Sequence, residues 1–202
     1  MNAAIEITGR LVEHPAGIAK YIEKLYRNLG KENVSLFPYV YFPRKKYIKQ
    51  LSSFININDV SWHYSFLHNE KSKNKIDISH TTDVKFLNLP KTKKIATIHD
   101  LAIFKKELSH IPNYTTDSFR KKIMKNLETL SKQTDGIITV SEQTKNDFLE
   151  LFPSYNKERI KTIYLASSLP EIITVDTQKA LDKFNLKAKS YFIFTGAVSA
   201  RK

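Results

Sequence analysis

Histidine and aspartate side chains stand directly after apolar stretches of this sequence, where they could take part in acid–base or hydrogen-bond chemistry. His99 and Asp100 follow the apolar run Ile95-Ala96-Thr97-Ile98. An imidazole can donate a hydrogen bond to a ligand hydroxyl or to a developing charge, and a neighbouring carboxylate can orient the ring or accept a hydroxyl proton. We therefore predict that His99 and Asp100 are catalytic residues. The alternative is a histidine that ends a strand and only caps the following loop.

A second group of polar side chains follows the segment 76–79. It consists of His80-Thr81-Thr82-Asp83, and its hydroxyl, imidazole and carboxylate groups suit the recognition of a carbohydrate. Ser141 follows another apolar run, 136–140, and stands where a helix N-cap belongs. The alternative for the first group is an ordinary polar loop.

Two segments suit a phosphate group. Gly17-Ile18 opens a predicted helix, where glycine allows close backbone approach and the first helical amides offer a partial positive charge. Arg201-Lys202 follows an apolar run at 191–194 and a glycine turn, and this cationic pair could stabilise a diphosphate leaving group. The alternatives are a plain turn glycine and a solvated terminus.

Several classes of site are absent from the sequence. It contains no Walker A loop, no G-x-G-x-x-G, no G-x-S-x-G and no D-x-D pair, and it contains no cysteine. We therefore expect no metal site and no cofactor, and we expect a reducing cytoplasmic environment.

Apolar segments of strand length alternate with segments of helical periodicity. Because this alternation is typical of a parallel sheet flanked by helices, we predict an α/β fold with a Rossmann-like doubly wound parallel sheet. The predicted strands are 4–8, 34–40, 54–57, 76–80, 95–98, 136–140, 160–165 and a last one from 191, and the predicted helices are 18–29, 116–132, 141–152 and 176–184. Ligands are then expected at the carboxyl ends of the strands.

The chain is strongly basic, with 33 Lys and Arg against 20 Asp and Glu and a net charge of +13. Lysine predominates, and lysine is a poor bidentate reader of bases, so we expect no nucleic-acid partner. Attraction to an anionic membrane surface fits better, and the basic runs are 71–75, 91–94, 105–106 and 120–122. No apolar core of a signal peptide follows Met1, so we expect a cytoplasmic protein, peripheral at the inner face of the membrane.

Taken together, the motifs resemble the group 1 glycosyltransferases of family 4, which have the GT-B fold. The resemblance rests on five segments in the family's order, namely Gly17-Ile18-Ala19-Lys20-Tyr21, Asp77-Ile78-Ser79-His80, Thr97-Ile98-His99-Asp100-Leu101, Ile138-Thr139-Val140-Ser141-Glu142 with Thr144-Lys145, and 191–202. It implies two facing Rossmann-like domains, with the acceptor on the first and a nucleotide-sugar on the second. It also implies metal-independent transfer that retains the anomeric configuration.

Carried over by position, His99 would contact the transferred sugar, and Gly17, Ile18, Arg201 and Lys202 would face the donor diphosphate. His80, Thr81, Thr82, Asp83 and Ser141 would bind a glycan or lipid-linked acceptor used in surface polysaccharide synthesis. Residues 1–168 would form the acceptor-binding domain, and 169–202 would form a linker and the first strand of a truncated donor domain. We therefore expect the 202 residues alone to be inactive, and the alternative is a non-catalytic binding or scaffolding module.

Overall fold

The computed structural model describes residues 1–12, 17–41, 49, 51–53, 55–63, 75–105, 115–166 and 176–193. The chain divides into two compact units, Met1–Leu165 and Ala166–Lys202. In the second unit, the described residues form one short helix, α4 (Thr177–Lys183), whose N-cap is Asp176 and whose Leu181 is buried. The roles assigned above to 1–168 and 169–202 stay predictions.

The first unit is built on a parallel sheet of seven strands, as counted over the described residues. The strands are β1 (Asn2–Glu6), β2 (Ser35–Tyr41), β3 (Ser61–His63), β4 (Ile78–Thr81), β5 (Lys93–Ile98), β6 (Gly136–Thr139) and β7 (Ile160–Thr162). Their order across the sheet is β3-β2-β1-β4-β5-β6-β7, and every neighbouring pair is parallel. The predicted Rossmann-like doubly wound sheet is therefore confirmed. The chain reverses its direction of travel across the sheet between β1 and β4, and this reversal is the topological switch point of the fold.

In the described part of the first unit, three helices connect these strands: α1 (Gly17–Leu29), α2 (Asp117–Gln133) and α3 (Glu142–Leu151). Hydroxyl side chains start the last two. Thr116 accepts from the amide of Phe119 at 3.2 Å, and Ser141 accepts from the amide of Thr144 at 3.1 Å. Each cap satisfies an amide that has no partner within its own helix.

The apolar core covers both faces of the sheet. Ala3 and Ile5 of β1 pack in one cluster with Ile22 of α1, whereas Ala4, between them, packs in another cluster with Leu87. Successive side chains of a strand point to opposite faces, so a strand that is covered on both faces is apolar at most of its positions. A third cluster joins β5, β6 and β7 to α2 and α3 and includes Leu127, Leu130 and Phe148.

Two predicted strands differ from the structure. The strand expected at 54–57 is wrong, because Ile57–Asp59 is a 3-10 turn and the strand that pairs with β2 begins at Ser61. The side chain of Asn56 accepts from the amide of Asn58 at 3.1 Å, which favours a turn over a ladder. Tyr191–Ile193 belong to no strand, and the rest of the predicted last strand lies outside the described residues.

Of two glycines near the start of α1, substitution by alanine should destabilise the protein at Gly9 but not at Gly17. A Cβ on Gly9 would lie 2.9 Å from Ile22 Cδ1 and 3.2 Å from Ile18 Cγ2, whereas a Cβ on Gly17 would meet nothing within 4 Å. Because Ile22 is fully buried, we expect Gly9→Ala to lower the unfolding free energy by about 1–3 kcal/mol. Gly17→Ala, the matched control, should change it by less than about 0.5 kcal/mol. Urea denaturation measures both, and equal losses would contradict the packing described here.

Candidate active site

Polar side chains gather at the switch point, where β1, β4 and β5 end. Glu6 is the last residue of β1, Thr81 is the last residue of β4, and His99 follows β5 directly. The three strands are neighbours in the order β1-β4-β5, so their carboxyl ends meet at one edge. This is the edge at which doubly wound sheets bind ligands.

The imidazole of His99 is held in one orientation. Its Nε2 lies 3.0 Å from the backbone carbonyl oxygen of Thr82. Since a carbonyl can only accept, Nε2 carries the hydrogen, and in the neutral ring Nδ1 carries the lone pair. The ring of Tyr21 meets the imidazole edge-to-face, with ring centroids 4.8 Å apart and an interplanar angle of 77°. The backbone carbonyl of His99 accepts from the Thr144 hydroxyl at 3.2 Å.

A chain of three polar side chains lies beneath His99. The hydroxyl of Tyr21 is 3.0 Å from Thr97 Oγ1, which is 2.9 Å from His80 Nε2. Thr97 and His80 are buried. The pKa of His80 is lowered from 6.5 to about 4, chiefly because the ring is buried; the Glu6 carboxylate acts in the opposite direction, and the neighbouring His99 contributes to the lowering. His80 is therefore neutral near pH 7.

The threonines after β4 bind the loop to its neighbours. Thr81 Oγ1 accepts from the amide of Leu87 at 3.0 Å, and the Thr82 hydroxyl donates to the carbonyl oxygen of Glu6. His80, Thr81 and Thr82 are all buried, so their side chains offer no surface to an acceptor in this structure. The end of β4 lies in the middle of the sheet, where these polar groups join neighbouring segments, and the acceptor-binding assignment of the three residues stays a prediction.

Asp83, Asp100 and Ser141 lie nearer the surface. Asp83 is half-buried; burial raises the pKa of its carboxyl, and the nearby Glu6 carboxylate raises it further. Asp100 is exposed, and its Oδ1 accepts from the amide of Ala102 at 3.3 Å. Ser141 caps α3, as its position predicts. The catalytic role of Asp100 and the acceptor-binding roles of Asp83 and Ser141 stay predictions.

The N-terminal end of α1 lies beside the histidine, because Tyr21, in the second turn of this helix, contacts His99. Gly17 is exposed with open space before its Cα, while Ile18 is half-buried and packs against the core. Only the backbone of Ile18 could therefore face a phosphate. Arg201 and Lys202 lie outside the described residues, and their contact with a diphosphate stays a prediction.

Sequence reasoning missed three residues of this site: Glu6, Tyr21 and Thr97. Tyr21 stands at helical spacing from its apolar neighbours, so its pattern gives no sign of a site. A signal existed at the other two positions, because each is a polar residue inside an apolar strand. Within the part of the chain that the structure describes, no three His, Asp or Glu side chains are placed to hold a metal ion.

The fold and the site define a Rossmann-like α/β domain with a fixed histidine at its switch point. A sequence model of the family described as Glycosyltransferase Family 4 matches residues 15–166, which is most of the chain. The chain belongs to this family, and the resemblance to the N-terminal half of the GT-B fold is confirmed. No curated protein matches the chain.

The buried His80 makes stability depend on pH. Its pKa is about 4 in the folded chain and 6.5 when unfolded, so between these pH values the unfolded chain binds a proton that the folded chain rejects. We expect this residue to remove about 3 kcal/mol of unfolding free energy as the pH falls from 7 to 4. The pH profile of His80→Gln should be flatter by that amount in denaturant titrations at successive pH values. Parallel profiles for the variant and the unaltered chain would contradict the burial of a neutral His80.

Proposed function

We propose that the protein transfers a sugar from a nucleotide-sugar to a glycan or lipid-linked acceptor, with retention of configuration and without a metal ion, in surface polysaccharide synthesis. Membership of Glycosyltransferase Family 4 supports a glycosyltransferase-type activity. The observation that carries the finer proposal is the fixed imidazole of His99 at the switch point.

The orientation of His99 defines what it can do to a sugar. Its Nε2–H is used by the Thr82 carbonyl, so Nδ1 is the nitrogen that remains for a ligand. In the neutral ring this nitrogen accepts a hydrogen bond, which suits a sugar hydroxyl as donor. A sugar held in this way would have its anomeric carbon placed by a rigid group, and positioning of this kind lowers the barrier to transfer.

The N-terminal end of α1 supports a diphosphate site beside that histidine. Gly17 is exposed, and among the described residues no heavy atom lies within 4 Å of a Cβ built on it, which leaves room for a ligand close to the backbone. The unpaired amides of the first helical turn and the helix dipole favour an anion there. The family resemblance assigns the nucleoside to a C-terminal domain, so we expect the 202 residues alone to show almost no transfer.

This function is tested with the 202-residue chain and with the same chain fused to the C-terminal domain of a family member. The assay supplies a panel of nucleotide-sugars and lipid-linked glycan acceptors and detects the new glycoside. We expect transfer from the fusion alone, with His99→Ala lowering kcat/KM by roughly 100-fold or more. His63→Ala, on the outermost strand β3, is the matched histidine control and should leave transfer unchanged.

Two results would contradict the proposal. Acceptor binding without transfer by the fusion, for every donor, would favour the non-catalytic binding module. Full activity of His99→Ala would show that sugar transfer does not depend on this histidine.

We further propose that the protein works at the inner face of the cytoplasmic membrane, bound through the exposed face of α2. Phe119 is 50% exposed in the first turn of this helix, and Lys121, Lys122 and Lys125 are exposed in the turns that follow. Arg120 Nε donates to the carbonyl oxygen of Ile103 at 3.1 Å, which ties this turn to the segment after His99. Within the described residues, no helix combines the length and the apolar character needed to cross a bilayer.

Other basic runs contribute less to such a surface. Lys93 and Lys94 begin β5 and therefore lie at the amino edge of the sheet, opposite the site. Lys105 pairs with Asp147, and residues 71–74 and 106 lie outside the described residues.

Vesicle binding tests the role of α2. We expect the chain to sediment with vesicles rich in phosphatidylserine and not with phosphatidylcholine vesicles. Each lysine near an anionic surface contributes about 1 kcal/mol, so the triple change of Lys121, Lys122 and Lys125 to Gln should lower binding by roughly 100-fold. The same change at Lys31, Lys157 and Lys161, three exposed lysines outside α2, keeps the net charge equal and should have little effect. Equal binding to both kinds of vesicle would contradict the proposal.

A further inference from the structure

We infer that Tyr21 is a positioning residue that holds the imidazole of His99 in the tautomer and orientation needed to accept a sugar hydroxyl. The inference rests on the proposed function of His99 in one respect, namely that its Nδ1 faces the transferred sugar. The position of Tyr21 beside the ring and its anchoring in the sheet are independent of that function.

Two contacts fix the His99 ring, and Tyr21 makes one of them. The hydrogen bond from Nε2 to the Thr82 carbonyl, 3.0 Å long, sets which nitrogen carries the hydrogen. The edge-to-face contact with Tyr21, with centroids 4.8 Å apart, sets the plane of the ring. A ring that rotated out of this plane would lose the bond to Thr82, and Nδ1 would then no longer be reserved for a ligand.

The ring of Tyr21 can act as a rigid wall against the His99 imidazole because a hydrogen bond fixes its own hydroxyl group. The hydroxyl is 3.0 Å from Thr97 Oγ1, and Thr97 in turn lies 2.9 Å from His80 Nε2. A hydroxyl can both donate and accept, so Thr97 can bond both neighbours whichever nitrogen of His80 carries the hydrogen, and the Tyr21 hydroxyl keeps a partner in either case. One tyrosine of α1 is thereby tied to both β4 and β5.

The placement of Tyr21 along α1 links this wall to the predicted diphosphate site. Gly17 and Tyr21 are four residues apart and therefore lie on the same face of the helix. The helix end that would bind the donor phosphates and the side chain that holds His99 are thus parts of one rigid element. A donor bound at Gly17 would meet an imidazole already in place.

A purely structural role is the competing explanation, because Tyr21 also packs against the core cluster of β1 and α1. The same cluster contains Tyr26, another half-buried tyrosine of α1. Tyr26→Leu is therefore a matched control for the loss of a buried aromatic ring.

The test reads the His99 tautomer by proton–nitrogen correlation NMR of the full 202-residue chain, with His99→Gln to assign the signals. We expect a single Nε2–H form in the unaltered chain and in Tyr21→Phe, which keeps the ring. Tyr21→Leu should give a mixture of the two tautomers, whereas Tyr26→Leu should keep the single form. An unchanged tautomer in Tyr21→Leu would overturn the inference, and so would an equal change in Tyr26→Leu.

Activity of the fused enzyme separates this inference from the proposed function. We expect Tyr21→Leu to lower kcat about tenfold or more relative to Tyr26→Leu, with a smaller change in KM for the donor. Absence of transfer by every form of the fusion would count against the proposed function and leave the NMR result standing. A mixed tautomer with full kcat would overturn the positioning role.

Discussion

The site depends on Thr82, a buried residue that joins the ends of three neighbouring strands. Its hydroxyl donates to the carbonyl oxygen of Glu6 at the end of β1, and its own carbonyl accepts from His99 after β5. Thr82 itself follows β4, which lies between the other two strands. A single residue thus fixes the geometry of the switch point and the tautomer of the histidine. If the hydrogen bond between His99 and the Thr82 carbonyl were lost, the strands would still end at this edge, but the imidazole would no longer be held in one orientation.

Neutral hydroxyl and imidazole groups make most of the hydrogen bonds that fix the strand ends and the His99 ring. Thr81, Thr82, Thr97 and His80 are all buried, and each has a hydrogen-bond partner. A buried polar group without a partner is costly, so such a network tolerates few alternative arrangements. This hydrogen-bonded network is the physical reason why His99 has a fixed orientation, although it lies at the end of strand β5, where chains are often mobile.

The sequence predicted the parts of this structure that depend on local pattern. Buried apolar runs located most strands of the sheet, Ser141 located the start of α3, and the position after a strand located His99. The sequence could not show that β4 pairs with β1, because that pairing joins segments more than 70 residues apart. Without that pairing, nothing in the pattern indicates that His80 and Thr82 are buried or that Tyr21 reaches His99.

Ionic strength should act differently on the hydrogen-bonded side chains of Tyr21, Thr97 and His80 and on the exposed lysines of α2. At physiological ionic strength, mobile ions screen exposed charges over about 8 Å but act much less on buried dipoles. Attraction of the exposed lysines of α2 to an anionic bilayer should therefore weaken as electrolyte is added, while hydrogen bonds around the imidazole persist. Membrane binding would then depend on ionic strength, whereas the geometry of the site would not, so the protein could leave a membrane with its site still assembled.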